Sequence, residues 1–423
     1  MPVALLLLSL VSLAGHLLPS PRNLSIGGDR RSSGIDSKFG YSTAAACHDT
    51  PSVPPESRPA SCAALSAQAE IDALARGTRV AIIITAHNEH GCALRRTLLA
   101  VGLRTLRSLM AEVLVLDDAS APHAEAAVVA AGGLPSLSAE VVRFLRSEAR
   151  LGVTRARMLA AREASAAADV LAFLDAHCEP QLGWLPPLLQ TVAATPRTVA
   201  LSVIEAIDRR SWSYQPLMPP EHPPRGVLGG WNLTFAWAHL NASERAARRR
   251  GPADAPVRAP VMAGGVFAVQ RAWFDASGGY DPGLEVWGVE NVEMSVRMWT
   301  CGGALHTLPC SRVGHVFRGE QPFSWPNASG ALTVLRNARR VSTVWFDKAD
   351  RLVISGDGAG DGGTVGRMIS HELAGDVSLD ERRALRRRLG CRPFLWYLQN
   401  VLPDHPPLPR GWTWDEDVPR SEA

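Results

Sequence analysis

Lysine is almost missing from this chain of 423 residues, which has only Lys38 and Lys348 among its 44 basic residues. Basic residues nearly balance the 41 acidic residues, and a formal net charge of +3 argues against a nucleic-acid-binding protein. Hydrophobic residues make up 46% and charged residues 20%, which excludes a disordered chain and favours a packed core. The scarcity of lysine reflects either GC-rich codon usage or a choice of arginine for paired phosphate contacts, and the second interpretation can hold only at individual sites.

The N-terminus lacks an apolar run of about 20 residues, the length that crosses a bilayer comfortably. The shorter run from Val3 to Leu18 fits the hydrophobic part of a secretory signal peptide or a short signal anchor. Arginine residues follow this run and none precedes it, which gives only weak support for a type II anchor. We expect residues 1–20 to be a targeting segment, either anchored or cleaved.

The seven cysteines contain no C-x-x-C pair, which argues against a zinc ribbon. Internal repeats with a period of 20–50 residues are also absent. In a secreted or lumenal protein, an odd number of cysteines predicts disulfide bonds together with at least one free thiol.

Two regions differ in their residue pattern. Residues 19–77 are rich in Ser, Pro, Gly and Ala without a sustained period, which predicts a stem or linker over 21–77. From residue 78 onwards, short buried-strand patterns such as 80–85 and 170–175 alternate with helical patterns such as 154–168. This alternation predicts an α/β domain with a mostly parallel sheet that is covered by helices.

Polar residues end several of the predicted strands. Thr85, Asp117, Asp118 and Asp175 each stand at the carboxyl end of an apolar run. Ligands of mostly parallel sheets bind at this edge. From the residues alone, the two adjacent acids either begin the next turn or bind a ribose, a uracil edge or a metal.

A possible metal site follows the strand that ends at Asp175. Asp175 and His177 are two residues apart in an extended segment, so their side chains point to the same side. A carboxylate and an imidazole suit one divalent cation, with Mn, Fe, Zn and Co all open, or form a structural hydrogen-bonded pair. His315 is the best third ligand, and a core histidine is the alternative.

Other residues of interest lie in the second half of the domain. Gly264 and Gly265 allow a substrate to approach the backbone, or mark a bulge. Trp287 offers a flat wall to a sugar or nucleotide. Glu290 suits base catalysis or hydroxyl recognition, or favours the start of a helix.

Two arginines are candidates for diphosphate binding. Arg150 and Arg318 can each form paired hydrogen bonds with phosphate oxygens. For either residue, an ordinary surface ion pair is the alternative.

A series of motifs from about residue 80 to 402 resembles the polypeptide N-acetylgalactosaminyltransferases, the family that starts mucin-type O-glycosylation. In chain order the motifs are IITAHNE (83–89), LDD (116–118), FLDAHCE (173–179), MAGGVF (262–267), VWGVEN (286–291), CGG (301–303), PCSRVGHVFR (309–318) and CRPFLWYLQNV (391–401). Their shared order makes the resemblance much more specific than any one motif.

The resemblance implies a GT-A glycosyltransferase fold, UDP-GalNAc as donor, Mn²⁺ as cofactor, and retaining transfer to Ser/Thr hydroxyls of protein acceptors. It implies that the metal ligands are Asp175, His177 and His315, and that Glu290 and Asn291 face the sugar. Ala176 is expected to contribute only its backbone, because the family usually has Ser there. The implied donor-binding residues are Thr85, Asp118, Arg150, Ala176, Gly264, Gly265, Trp287, Arg318, Gln321 and Phe323.

Three positions depart from the family pattern. Gln321 and Phe323 stand where the family tends to have His and Tyr, and Val289 replaces a usual Gly. We expect a catalytic domain over 78–403 and a tail over 404–423, without the C-terminal ricin-type lectin domain of the family.

The resemblance also implies a pairing of cysteines and a location. It pairs Cys301 with Cys391 and Cys62 with Cys310. Cys92 and Cys178 stand beside predicted buried elements, and we expect them to be free thiols. It implies a single-pass type II protein of the Golgi membrane, or a secreted protein if the N-terminal segment is cleaved. Two alternatives remain: a weakly active or silent lumenal relative with a binding role, and a GT-A transferase for another UDP-sugar.

Overall fold

The structure is a computed structural model that describes residues 34–48, 51, 53–135, 141–217, 222–319, 321–325, 330–347 and 376–405. The predicted targeting segment 1–20 lies outside the described residues, as does the predicted tail apart from residues 404 and 405. Among the helices that the structure describes, none is long and apolar enough to cross a membrane.

The described residues form the following helices and strands. The strands are β1 (Val80–Ala86), β2 (Met110–Asp118), β3 (Val142–Ser147), β4 (Val170–Asp175), β5 (Cys178–Pro180), β6 (Thr198–Ile207), β7 (Tyr214–Gln215), β8 (Arg225–Leu228), β9 (Phe235–Ala238), β10 (Val257–Arg258), β11 (Val266–Gln270) and β12 (Ala304–Val316). The helices are α1 (Thr43–Cys47), α2 (Cys62–Ala75), α3 (Gly91–Arg104), α4 (Ala124–Ala130), α5 (Val153–Glu163), α6 (Leu185–Ala194), α7 (Ala242–Arg250), α8 (Arg271–Ala276), α9 (Glu290–Thr300), α10 (Gly330–Trp345), α11 (Val377–Arg388) and α12 (Phe394–Asn400).

Ten strands form one sheet, in which eight have the order β10-β12-β6-β11-β4-β1-β2-β3, while β5 pairs with β12 and β7 with β6. The pairs β3–β2, β2–β1, β1–β4 and β6–β12 are parallel, whereas β11 is antiparallel to both β4 and β6. The prediction of an α/β domain with a mostly parallel sheet is therefore confirmed.

Hydrophobic clusters cover both faces of the sheet. Alternate residues of β1 enter different clusters: Ile82 and Ile84 pack with Leu94 of α3, whereas Ile83 packs with Ala160 of α5. Burying one such isoleucine contributes about 1.5–3 kcal/mol. Strand β1 is thus apolar throughout because both of its faces are buried.

The register of the central strands brings polar residues together at one edge. Thr85 of β1 lies beside Asp175 of β4, and Ala86 lies beside Asp117 of β2. Because β11 is antiparallel to β4, its first residue, Val266, pairs with Leu174. The Gly264-Gly265 segment before β11 therefore reaches the same edge.

The prediction of a stem or linker over 21–77 is wrong for the described part of that range. Helix α2 packs on α6 and β12, and α1 packs on α3. The residues that α2 buries are small, namely Cys62, Ser66, Ala69 and Ala73, so their hydrophobic periodicity is weak in the sequence. Ordered structure therefore begins well before residue 78.

Disulfide bonds attach this N-terminal region to the domain. The structure forms both of the predicted bridges, Cys62–Cys310 and Cys301–Cys391, and it leaves Cys178 as a buried free thiol. The prediction of a free thiol at Cys92 is wrong, because Cys92 is bonded to Cys47. The packing of α1 on α3 brings these two residues together.

Several element boundaries also differ from the expected ones. The recurring leucines between Cys92 and Met110 predict a helix over that whole range, but the helix ends at Arg104, because Met110 already begins β2. The sequence from Met262 to Val269 predicts a strand entered through two glycines, but the strand begins only at Val266, so the two glycines lie in the loop that enters the site.

Candidate active site

Three side chains form a cluster suited to a metal ion at the carboxyl edge of the sheet. The potential ligand atoms of Asp175, His177 and His315 all lie within 4.8 Å of one another. His315 Nε2 is 3.4 Å from Asp175 Oδ2, and the two imidazole centroids are 4.7 Å apart. The strands supply this arrangement, since β12 pairs with β5 so that His315 lies opposite Cys178.

Buried neighbours fix Asp175. Arg157 of α5 donates a hydrogen bond from Nη2 to Asp175 Oδ1 at 2.8 Å and another from Nη1 to the Tyr280 hydroxyl at 3.1 Å. Burial alone would raise the pKa of Asp175, but the hydrogen bond to His315 and the charge of Arg157 outweigh burial and lower this pKa. The carboxylate is therefore ionised and able to bind a cation at neutral pH.

His177 is oriented by Glu89. Glu89 Oε2 lies 2.9 Å from His177 Nδ1 and accepts a hydrogen bond from Arg318 Nη2 at 2.6 Å. Burial, together with the positive charge of Arg318, lowers the pKa of His177 to about 4. A neutral imidazole that donates Nδ1–H to a carboxylate keeps the lone pair of Nε2 for a metal, and Arg318 Nη2 lies 3.1 Å from this nitrogen.

The donor set fits a divalent cation such as Mn²⁺. Two imidazoles and one carboxylate match the ligand preferences of first-row transition metals. Beside this cluster, Arg318 Nη1 is buried and has no hydrogen-bond partner among the described residues. Because Nη2 of the same group is paired with Glu89, Nη1 is the donor that suits an anionic ligand such as a phosphate.

Asp118 and Arg150 form a second part of the site. The Asp118 carboxylate accepts backbone N–H groups from Leu151 at 2.6 Å and Gly152 at 2.9 Å, and Arg150 Nε lies 3.2 Å away. Burial lowers the pKa of Arg150 to about 10, so this guanidinium remains charged at neutral pH. Its Nη1 is also buried without a hydrogen bond to any described residue.

The neighbouring Asp117 has a structural role. Its carboxylate accepts hydrogen bonds from the backbone N–H groups of Ser120 and Ala124 and from Arg146 Nη1 at 2.6 Å. These bonds hold the turn that leads into α4. Of the two adjacent acids, Asp117 begins the next turn and Asp118 faces Arg150.

Glu290 and Asn291 are the first two residues of helix α9. Glu290 Oε2 accepts the Gly288 N–H at 2.8 Å, and Asn291 Nδ2 donates to the Met262 carbonyl at 2.9 Å. Burial raises the pKa of Glu290, and the nearby charge of Arg157 opposes this shift. A Cβ on Gly264 would lie 2.9 Å from Asn291 Cβ, so glycine allows this close packing.

The loop before α9 has a strained backbone. Val286 and Val289 have φ values of 53° and 71°, which are unfavourable for β-branched residues. The buried Asn337 of α10 holds this loop, accepting the Glu285 N–H at 2.9 Å and donating to the Gly288 carbonyl at 3.1 Å. Strain of this kind, about 1–3 kcal/mol per residue, is common at functional sites.

The remaining predicted donor-binding residues are less tightly connected. The Phe323 ring lies 5.4 Å from the Arg150 guanidinium, and Ala176 is buried directly after Asp175. Trp287 is 48% exposed and Gln321 is exposed. Within the described ranges, neither of these two side chains forms a hydrogen bond or ring contact with another predicted site residue.

Sequence reasoning assigned no role to four residues that shape the site: Tyr41, Glu89, Arg157 and Asn337. Glu89 ends the family-like motif IITAHNE directly after β1, and this motif was the sequence feature that could have identified it as a site residue. Tyr41 lies in the range expected to be a stem, and Arg157 lies in a helix whose arginines look solvent-facing. Their contacts depend on tertiary packing.

Two family models match adjacent parts of the chain. Residues 81–255 match glycosyl transferase family 2, and residues 248–320 match the N-terminal domain of galactosyltransferase. Together these matches cover the strands and loops that carry the metal cluster and α9.

Similar proteins carry consistent names. The chain is 38% identical over 324 residues to human polypeptide N-acetylgalactosaminyltransferase 13, covering 76% of this chain and 54% of the relative. It is 36% identical over 329 residues to probable N-acetylgalactosaminyltransferase 6 of Caenorhabditis elegans, covering 77% and 50%. The chain thus spans about half the length of the curated relatives it matches.

A solved structure is also similar. The crystal structure of GalNAc-T7 with UDP, GalNAc and Mn²⁺ has a TM-score of 0.71 and 28% sequence identity, covering 86% of this chain and 64% of that chain. This similarity confirms the predicted GT-A fold.

Proposed function

Because the chain belongs to the polypeptide N-acetylgalactosaminyltransferase family, we propose that it transfers GalNAc from UDP-GalNAc to Ser or Thr hydroxyls of proteins, with retention of configuration. One observation carries the proposal: the cluster of Asp175, His177 and His315 lies beside Arg318, whose buried Nη1 has no partner among the described residues. Metal ligands next to a guanidinium group that has one buried N–H donor without a partner suit a nucleoside diphosphate.

Each part of the site has a role in this proposal. Asp175, His177 and His315 would hold Mn²⁺, which when bound stabilises negative charge on the departing diphosphate. Arg318 pairs with the phosphate oxygens. Asp118 and Arg150 bind the nucleotide end of the donor.

Glu290 and Asn291 face the sugar in this proposal. Transfer breaks the bond between the sugar C1 and the diphosphate oxygen, which leaves with UDP, and forms a bond from C1 to the acceptor oxygen, whose proton passes to a base. In our proposal the Glu290 carboxylate, at the start of α9, is that base or binds a sugar hydroxyl. Its raised pKa makes it a better proton acceptor than an exposed glutamate.

A donor comparison tests the proposed function. The full chain is incubated with Mn²⁺, a Thr-rich peptide, and UDP-GalNAc, UDP-GlcNAc or UDP-Gal, and both UDP release and peptide mass are measured. We expect transfer from UDP-GalNAc to exceed transfer from the other donors, and NMR of the product to show a retained α-anomer. Preference for another donor supports a different GT-A transferase. Binding of UDP without any transfer supports the silent relative.

The location is also a proposal. We propose that the protein resides in the Golgi membrane as a type II protein with its catalytic domain in the lumen, or is secreted after cleavage. The three disulfide bonds among the described residues support an oxidising compartment. Protease protection of the expressed full chain in sealed vesicles, followed by N-terminal sequencing of any secreted form, tests both versions.

A further inference from the structure

Tyr41 lies deep in the domain although its segment precedes the first strand of the sheet. Its side chain is fully buried, and its ring packs edge-on against Trp212 at 5.2 Å and lies 5.5 Å from the Arg318 guanidinium. The hydroxyl donates a hydrogen bond to Glu89 Oε1 at 2.5 Å. Burial and the charge of Glu89 raise the pKa of Tyr41, so the hydroxyl keeps the proton that it donates.

Glu89 links Tyr41 to the candidate active site. Its second oxygen, Oε2, interacts with both His177 Nδ1 at 2.9 Å and Arg318 Nη2 at 2.6 Å. One carboxylate therefore contacts a proposed metal ligand and a proposed diphosphate ligand. If the Glu89 carboxylate rotated, His177 and Arg318 would each lose a hydrogen-bond partner.

Three connections fix the segment that carries Tyr41. The Cys47–Cys92 disulfide joins it to α3, the helix that follows Glu89. Ser42 N–H donates to the Arg209 carbonyl at 2.7 Å, and Trp212 Nε1 donates to the Ser42 carbonyl at 3.0 Å. These connections lie at Ser42 and Cys47, directly after Tyr41, and they join the segment to the domain rather than leaving it loose on the surface.

We propose that Tyr41 and Glu89 are positioning residues that hold His177 and Arg318 in the geometry needed to bind a metal-bound nucleoside diphosphate. The inference rests on the proposed function, because it concerns the same metal cluster. Carboxylates that orient metal-bound histidines typically change metal affinity about 10- to 100-fold when they are replaced. The segment 36–47 is thus part of the active site rather than a tether.

A buried tyrosine could instead matter only for stability, and the chain offers a matched control. Tyr397 is also buried, and its hydroxyl donates a hydrogen bond to the Pro260 carbonyl at 3.0 Å. Tyr397→Phe and Tyr41→Phe therefore remove the same group from two buried sites, and only Tyr41 is connected to His177 and Arg318.

The test uses the full chain and three variants: Tyr41→Phe, Glu89→Gln and Tyr397→Phe. UDP binding is measured by titration calorimetry with Mn²⁺ and with EDTA, Mn²⁺ binding is measured by electron paramagnetic resonance, and folding by thermal unfolding. We expect Mn²⁺-dependent UDP binding to weaken about tenfold in Tyr41→Phe and up to about a hundredfold in Glu89→Gln. Tyr397→Phe should bind UDP like the unchanged chain.

The outcomes separate this inference from the proposed function. If the unchanged chain binds UDP with Mn²⁺ and folded Tyr41→Phe binds it equally well, the positioning role is wrong while the proposed function stands. If Tyr397→Phe weakens binding as much as Tyr41→Phe, the effect is one of general stability and the inference is overturned. If the unchanged chain binds no UDP with Mn²⁺, the proposed function itself fails.

Discussion

The candidate site has two sides that differ in how firmly their side chains are held. The metal side is the strand-end cluster around Asp175 and His177, and the loop side is the loop that carries Trp287 and leads into α9. On the metal side, Asp175 and His177 each have a buried, charged partner, namely Arg157 and Glu89. On the loop side, Trp287 is half exposed between two valines with positive φ. One side is fixed by strand ends and ion pairs, whereas the other stores strain.

This difference predicts two kinds of response to substitution. Substitutions on the metal side should abolish donor binding, because each side chain there contacts buried groups that a substituted side chain would leave without a partner. Changes on the loop side should adjust affinity or rate, because the Trp287 side chain is half exposed and forms no hydrogen bond or ring contact with another predicted site residue in the part of the chain that the structure describes. The predictions below test that division.

The largest effect is expected from Asp175→Asn. The substitution weakens a proposed metal ligand and leaves the charge of Arg157 buried without its carboxylate partner, which typically costs about 3–5 kcal/mol in stability. We expect Mn²⁺-dependent transfer to fall below detection and the melting temperature to drop. Asp380→Asn changes an exposed acid on α11 and serves as the control. Near-normal transfer by folded Asp175→Asn would remove Asp175 from the site.

Glu290→Gln tests whether the first residue of α9 acts on the sugar rather than on the nucleotide. We expect the rate of transfer to fall about 10²- to 10⁴-fold, the usual contribution of a general acid or base. UDP binding with Mn²⁺ should stay within about threefold, because Glu290 faces the sugar in our proposal and glutamine can still accept the Gly288 N–H. Transfer rates and titration calorimetry on the same preparation distinguish a loss of catalysis from a loss of UDP binding. A loss of UDP binding equal to the loss of rate would place Glu290 on the nucleotide instead.

Gly265→Ala tests how tightly the metal side is packed. A Cβ on Gly265 would lie 2.4 Å from Asp175 Oδ2, so the carboxylate must move. We expect Mn²⁺-dependent UDP binding to weaken roughly 10- to 100-fold. Gly34→Ala is a suitable control, since a Cβ there meets no atom within 4 Å. Unchanged binding in Gly265→Ala would show that the metal side is as adaptable as the loop side.

The smallest effect is expected from the double substitution Gln321→His with Phe323→Tyr, which restores the family pattern in a second loop. This second loop follows β12 and is distinct from the loop that leads into α9. Phe323 already lies against Arg150, so a phenol hydroxyl there would reach the donor region. A new hydrogen bond to a charged group stabilises by about 1.5–3 kcal/mol, and we expect at least roughly tenfold tighter UDP-GalNAc binding by calorimetry. Phe144→Tyr, in strand β3, is the control for a nonspecific tyrosine effect. No gain in the double variant would indicate that the loop closes differently in this chain.

The metal side was largely predictable from the sequence, and the reason is physical. Asp118 and Asp175 end short apolar runs that must be buried strands, and parallel strands bring their carboxyl ends to one edge. Asp175 and His177 share a side because of the two-residue period of an extended chain. His315 required the resemblance, because a single histidine near an apolar strand is ambiguous.

The supporting residues were not predictable in this way. Tyr41 and Cys47 lie in a range without periodicity, and small buried residues hide the amphipathic pattern of α2. Arg157 sits in a helix where an arginine normally faces solvent, yet it is buried against Asp175 and Tyr280. These contacts depend on which elements pack together, which local patterns do not encode.

The central claim is that a metal ion held by the strand-end cluster binds the donor diphosphate. Titration calorimetry of the full chain with UDP, in Mn²⁺ and then in EDTA, tests it most directly. We predict clear binding with Mn²⁺ and at least about a hundredfold weaker binding in EDTA, because Arg318 alone would have to hold the diphosphate. Equal affinity for UDP in Mn²⁺ and in EDTA would contradict the account.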